Sequence, residues 1–236
     1  MLVLCGALAV GASLASCGGA TPDGLTVVSV DGHSITKATL DHWTAIEAVL
    51  AYQLNPSAPV PRGVVPDPPA YVKCIAYLLT TPPTLLKTNS SETVAQLRGQ
   101  CAERRTQLQR HVLDILITNY WLRGEADARG VAVAEGELRE AIDRQFPSEE
   151  AFRRFLRLTG ETASDDMFVV KGDLLTNKLR QLVTSAQGLT SEQQQLAYAR
   201  FNDAFAKRWR AQTTCRQGYV VAECREYKGP LKSPVV

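Results

Sequence analysis

The feature that leaves this chain the fewest choices is an unbroken helical stripe between Thr93 and Ala128. Val94, Leu97, Cys101, Leu108, Val112, Ile115 and Leu122 recur at three-, four- and seven-residue intervals, the period that gathers apolar side chains on one helix face. Arg98, Glu103 and Arg110 fall on other faces, and Gly130, just after Arg129, supplies the stop. At 1.5 Å per residue such a helix spans about 50 Å. Its apolar face can be covered only if shorter helices lie along it. His111 sits beside the stripe without a Ser, Cys or Asp pattern to make it a base, and reads as a packed or solvated helix residue.

The segment Thr26 to Leu50 reads as a short strand turning into an amphipathic helix. Val28 and Val30 share a face at period two, and Asp31-Gly32 carries turn chemistry. Thr36 is placed as the helix N-cap, with Ile35 before it and Leu40 at the fourth helical position forming a hydrophobic staple. Leu40, Trp43, Ile46 and Leu50 then give the helix one apolar face.

Further helices follow on both sides of the long one. Tyr71 to Leu79 reads as a short helix carrying Cys74 and stopped by Pro82-Pro83. Ala134 to Gln145 begins another, Ser148 caps one running to Leu158, and Gly160 breaks it. Ser164 is expected to open the next, with Asp165 and Asp166 in its first turn, favourable against the helix dipole. Neighbouring carboxylates on a helix point apart, so capping explains this pair better than an acid-base couple. Met167, Val170, Leu174, Leu175, Leu179 and Leu182 form the expected apolar face. Thr190 or Ser191 starts the last helix, whose Tyr198, Phe201, Phe205 and Trp209 fall on one stripe.

Met1 to Ser16 is an uncharged apolar run ending Leu14-Ala15-Ser16-Cys17. It has the pattern of a bacterial lipobox, too short for a spanning helix. Cys17 is the expected lipid anchor after cleavage, and 18–24 a tether reaching about 15 Å from the bilayer. No Lys or Arg precedes the run. The expectation is a start codon upstream of Met1, the alternative a degraded signal peptide. Residues 55–70 hold six of the twelve prolines, which marks an extended connector in preference to a proline-rich partner ligand. The expected organisation is therefore a signal peptide at 1–16, a lipid-anchored tether at 17–25, a helical domain at 26–228 containing connector 55–70, and a tail at 229–236.

An exported chain is also what the cysteines suggest. Once Cys5 has left and Cys17 is lipidated, Cys74, Cys101, Cys215 and Cys224 remain, an even number with three possible pairings. The simplest is local, Cys74 with Cys101 and Cys215 with Cys224. On the loop-entropy model these contribute about 3.5 and about 2.7 kcal/mol. There is no Cys-x-x-Cys and no histidine at ligand spacing from a cysteine, which argues against zinc and against thioredoxin-like chemistry. A formal net charge of +2, with Arg104, Arg105, Arg153 and Arg154 set among Glu103, Glu149 and Glu150, describes solvated helix faces and gives no basis for a nucleic-acid partner. No cofactor motif is expected either.

Several stretches together resemble one family. VVSVDGHSITKATLDHW is similar to the start of SurA-type N-terminal chaperone domains, GVAVAEGELREAI to the segment after their long helix, and DLLTNKLRQLV to their later leucine-rich helix. With the lipobox, PDPPAYVKCIA, WLRGEADARGVAV and RWRAQTTCRQGYVVAEC, the order resembles lipid-anchored SurA-like and PrsA-like foldases. Such foldases usually carry a parvulin prolyl isomerase domain. Here only Thr184 to Thr190 separates two helices, and Lys171-Gly172-Asp173-Leu174, an echo of a parvulin motif, sits inside a helical pattern.

The expected fold is mainly α, with a short N-terminal strand, a long central helix and a disulfide-closed C-terminal loop, and the resemblance implies a SurA-N-like helical domain. The resemblance also implies a chaperone for unfolded or nascent exported polypeptides, in the bacterial cell envelope and tethered to the membrane by its lipid. The alternatives are a peptidyl-prolyl isomerase, for which no catalytic residue is found, and a helical scaffold lipoprotein with one envelope partner. Tyr120, Trp121 and Phe146 are the candidate substrate-binding residues, with Trp43 expected in the core.

Overall fold

The long helix forms where its period and its stop place it. In a computed structural model describing residues 24–52, 59–80, 93–185 and 189–230, it is an unbroken 35-residue helix, Val94–Ala128. In chain order the elements are β1 (Thr26–Val30), β2 (His33–Thr36), α1 (Lys37–Leu50), α2 (Val72–Thr80), α3 (Val94–Ala128), α4 (Glu135–Gln145), α5 (Glu149–Thr159), α6 (Ala163–Thr184), α7 (Ser191–Ala211) and β3 (Thr213–Cys215). Thr93 and Gln96 close a reciprocal capping box at the start of α3: the Gln96 amide donates to Thr93 Oγ1 over 3.3 Å, and the Thr93 amide to Gln96 Oε1 over 2.7 Å. The expected signal segment, Cys17 and Pro82-Pro83 lie outside the described residues, as does part of the expected connector.

Around α3 the other elements bury their apolar stripes. The main core joins β1 and α1 to Val112, Leu113, Leu116, Ile117 and Trp121 of α3, Leu175 and Leu179 of α6, and Phe201, Phe205 and Trp209 of α7. A smaller cluster forms at the other end of α3, where Leu97 and Cys101 meet Val64, Ile75, Tyr77 and Leu78. The Cys74–Cys101 disulfide pins α2 there. Asp67 caps α2 from outside: the backbone amides of Lys73 and Cys74 each donate to its carboxylate over 3.0 Å. Burial would raise its pKa, and these donors outweigh that and hold it low.

The amino-terminal segment holds a strand that the sequence pattern did not reveal. Asp31 and Gly32 take φ of 45° and 83°, the positive values of a two-residue hairpin turn. The chain therefore returns as β2, antiparallel to β1, before entering α1. HSIT is too short and carries too little alternation to read as a strand. The cap is present, with Thr36 Oγ1 accepting from the Thr39 amide at 3.1 Å, and Ile35 and Leu40 are both fully buried in the main core. On its other side β1 pairs with β3, Val28 opposite Cys215 and Val30 opposite Thr213, giving sheet order β2-β1-β3. The Cys215–Cys224 disulfide closes the loop that follows.

Two details of α6 differ from expectation. Its N-cap is Thr162 and not Ser164, because Asp165, three residues on, completes a capping box with Thr162. Of the six residues expected on its apolar face, Val170, Leu175 and Leu179 are buried, while Met167 and Leu182 are exposed. Gly172 sits where α6 meets α3. A Cβ there would lie 2.1 Å from Asn119 Oδ1, so glycine leaves the room that the Asn119 side chain occupies between α6 and α3.

Candidate functional site

Beside that contact, α3 and α6 leave a groove of about 1160 Å³. Its walls are Arg110, Asp114 and Thr118 of α3, Val169, Asp173 and Thr176 of α6, and the disulfide-closed loop through Val220–Glu223 and Tyr227. The sequence folds this way because β3 anchors the loop to the sheet and Arg210 Nε holds the Ala222 carbonyl at 2.8 Å. Arg110, His111, Asp114 and Asp173 expose the groove to solvent. Burial pushes the Glu223 carboxyl up to about 7, reinforced by the neighbouring charge of Asp114.

A smaller cavity of about 220 Å³ adjoins it. Ile115, Val169 and Asp173 line both spaces. Trp43, Ile46 and Leu50 of α1, Phe155 of α5 and Val170 of α6 make its apolar walls, and Glu47, Glu161 and Asp166 face it. Burial, then the charges of Asp166 and Asp165, drives the Glu161 carboxyl up to about 7. Burial alone raises Asp166, which is 6 % exposed and whose Oδ2 has no hydrogen-bond partner. The surrounding walls raise Asp173 as well, although it reaches solvent at the mouth.

The adjacent carboxylates 165 and 166 therefore have different roles. Asp165 is the capping residue expected of it and also meets His42 Nε2 at 2.9 Å. Asp166 caps nothing and turns into the cavity. A signal for this was present, since Asp166, Val170 and Asp173 share one face of α6 by their spacing. The acids Asp114, Glu161, Asp173 and Glu223 were missed because each reads in isolation as an ordinary surface charge.

The aromatic candidates are not brought together. Trp121 is fully buried, and its indole N–H donates to Thr213 Oγ1 at 2.7 Å. As neighbours on α3, Tyr120 and Trp121 point in different directions, and Trp121 has the inward one, so it is a core residue and not a substrate contact. Trp43, 9 % exposed, lies in the core at the edge of the smaller cavity. Tyr120 is half-buried and lines a separate cavity of about 600 Å³ with Arg123, Phe168 and Lys171. Phe146 packs against Phe152 and Phe155, with ring centroids at 5.0 and 5.2 Å.

Among the described residues the one clustering of metal-type donors is Cys215, Cys224 and Glu226. Its two sulfurs are joined in a disulfide, so they are not thiolate ligands. No helix among the described residues is long and apolar enough to cross a membrane. Compared with models of protein families, with curated proteins and with solved structures, the chain finds no match.

Proposed function

We propose that this protein is an extracytoplasmic folding factor, held at the membrane through lipid on Cys17, that shields extended segments of unfolded exported polypeptides. The observation that carries this reading is the groove between α3 and α6. At about 1160 Å³ it exceeds the roughly 300–1,000 Å³ that encloses a small-molecule ligand. Its length along two helices and its mixture of apolar and polar walls suit several residues of backbone held weakly and with little sequence preference. The order of SurA-like motifs in the sequence supports the same reading.

The test uses an aggregation-prone client. The protein should slow aggregation at near-stoichiometric ratios, because apolar surface on the client is what the groove covers. Thr176→Trp, which fills the groove from α6 without deleting a buried side chain, should abolish most of that effect. Catalytic amounts should leave cis-trans interconversion in an X-Pro peptide at its uncatalysed rate, tens to hundreds of seconds at about 25 °C. Proportional acceleration there would replace this reading with an isomerase. Inactivity in both assays, with tight binding of one native envelope protein, would replace it with a scaffold. The anchor is checked separately by mass spectrometry of membrane-derived protein, in which Cys17 should be diacylated.

A further inference from the structure

The smaller cavity has a chemical composition of its own. Among the residues lining it, Glu47, Glu161, Asp166 and Asp173 are acids, and there is no lysine, arginine or histidine. Glu47 has a partner outside the cavity wall, His111 Nε2 at 3.5 Å. Asp166 has none: it is 94 % buried, from an exposure of 6 %, and its Oδ2 is shielded from solvent without a donor. A buried polar group without a partner is costly, and a buried carboxylate more so. Trp43 and Phe155 present aromatic rings to the same space, and an aromatic ring attracts a cation over its face.

We propose that this cavity receives an alkylammonium group, namely the lysine side chain of a polypeptide lying in the adjoining groove. The shape supports the assignment. A volume of about 220 Å³ is below the roughly 300 Å³ at the small end of ligand pockets, so the space suits one side chain and not a cofactor. Ile115, Val169 and Asp173 border both cavities, so a chain in the groove lies at the opening. The apolar walls accept a four-carbon stem while the ammonium meets Asp166 at the end, the arrangement in which a lysine buries its stem and keeps its charge paired, and the carboxylate of Asp173 at the mouth attracts the cation to the opening. Bound there, the cation would offset the charge of Asp166 that adds to burial in raising Glu161.

This inference rests on the groove as a polypeptide site, and one experiment separates the two. Two capped pentapeptides, identical except for a central lysine or norleucine between leucines, are titrated calorimetrically into the full chain, with free n-butylammonium as a third ligand. The lysine peptide should bind at least tenfold tighter than the norleucine peptide. Asp166→Asn should remove most of that preference, and Asp173→Asn, at an exposed position that cannot unfold the domain, should reduce it. Equal affinity for the two peptides overturns this inference and leaves the groove reading standing. Binding of neither peptide overturns both. A full preference in folded Asp166→Asn and Asp173→Asn overturns the assignment of the site, and binding of n-butylammonium without a lysine preference overturns a polypeptide source.

Discussion

Two buried carboxylates in this protein should respond in opposite ways to the loss of their charge, and the contrast can be worked from their partners. Glu125 on α3 is 2 % exposed. It accepts from Arg129 Nε at 2.6 Å, from Arg208 Nη1 at 3.3 Å and from the Trp209 indole at 2.9 Å, and so ties α3 to α7. Breaking a fully buried ion pair costs about 3–5 kcal/mol. Here the arginine side chains are 39 % and 51 % exposed and can turn to solvent, so their share falls toward the 0–1 kcal/mol of a surface pair. In Glu125→Gln the amide oxygen still accepts from the Trp209 indole, but an NH2 takes the place of the oxygen facing Arg129, and a buried donor left unsatisfied costs about 1–3 kcal/mol. Glu125→Gln should therefore cost about 2–4 kcal/mol.

Asp166 has no partner to lose at Oδ2, and Asp166→Asn should leave stability within about 0.5 kcal/mol or raise it. Urea midpoints at neutral pH, with unchanged m-values, give both numbers. For a chain of this size the Glu125→Gln change corresponds to a drop in Tm of roughly 4–16 °C. The reasoning would be refuted by an Asp166→Asn variant destabilised more than Glu125→Gln.

Three further outcomes are expected. Gly124→Ala should destabilise by about 1–3 kcal/mol, because its Cβ would sit 2.0 Å from the Trp209 ring, whereas Gly99→Ala, which meets nothing within 4 Å in the same helix, should stabilise by about 0.5–1 kcal/mol; thermal melts of the pair check both. Thiol labelling without reductant should find none of Cys74, Cys101, Cys215 and Cys224 free, and removing the longer-loop pair should cost about 3.5 kcal/mol against about 2.7 for the shorter, so a reversed order in denaturation midpoints contradicts the loop argument. The Glu161 carboxyl rises from 4.5 to about 7 on folding, so the folded state binds the extra proton between those values and the group's contribution to stability falls as pH rises through them; Glu161→Gln should stabilise relative to the parent at pH 8 and not at pH 4.5, and an identical difference at both is the contrary result.

How much of this was legible in the sequence follows from the range over which each feature is set. The caps at Thr36 and Ser148 and the stop at Gly160 involve partners three or four residues away, so periodicity and residue type place them. The same local logic misplaced one cap by two residues, because Ser164 and Thr162 are both acceptable N-caps and Asp165 decided for Thr162 by its own side chain. The cysteine pairing left open by counting was settled by geometry, with α2 folded against the start of α3 and the last loop closed on itself.

Other features depend on segments far apart in the chain. Strand β2 exists because β1 offers it an edge, and β3 because the chain returns after α7 to pair with the other edge of β1; neither segment has enough alternation to declare itself. Whether Trp121 or Tyr120 faces inward was fixed by where Thr213 supplies an acceptor, and the separation of Asp165 from Asp166 by where Trp43, Phe155 and Glu161 close a space around the second carboxylate. A helical chain organised on one long helix was legible from residue order alone, since hydrogen bonds within a helix and the spacing of its apolar face are local. The groove, and the buried acid of the cavity beside it, came only with packing, since burial and the loss of solvent partners belong to the assembly of distant elements and to no single stretch of residues.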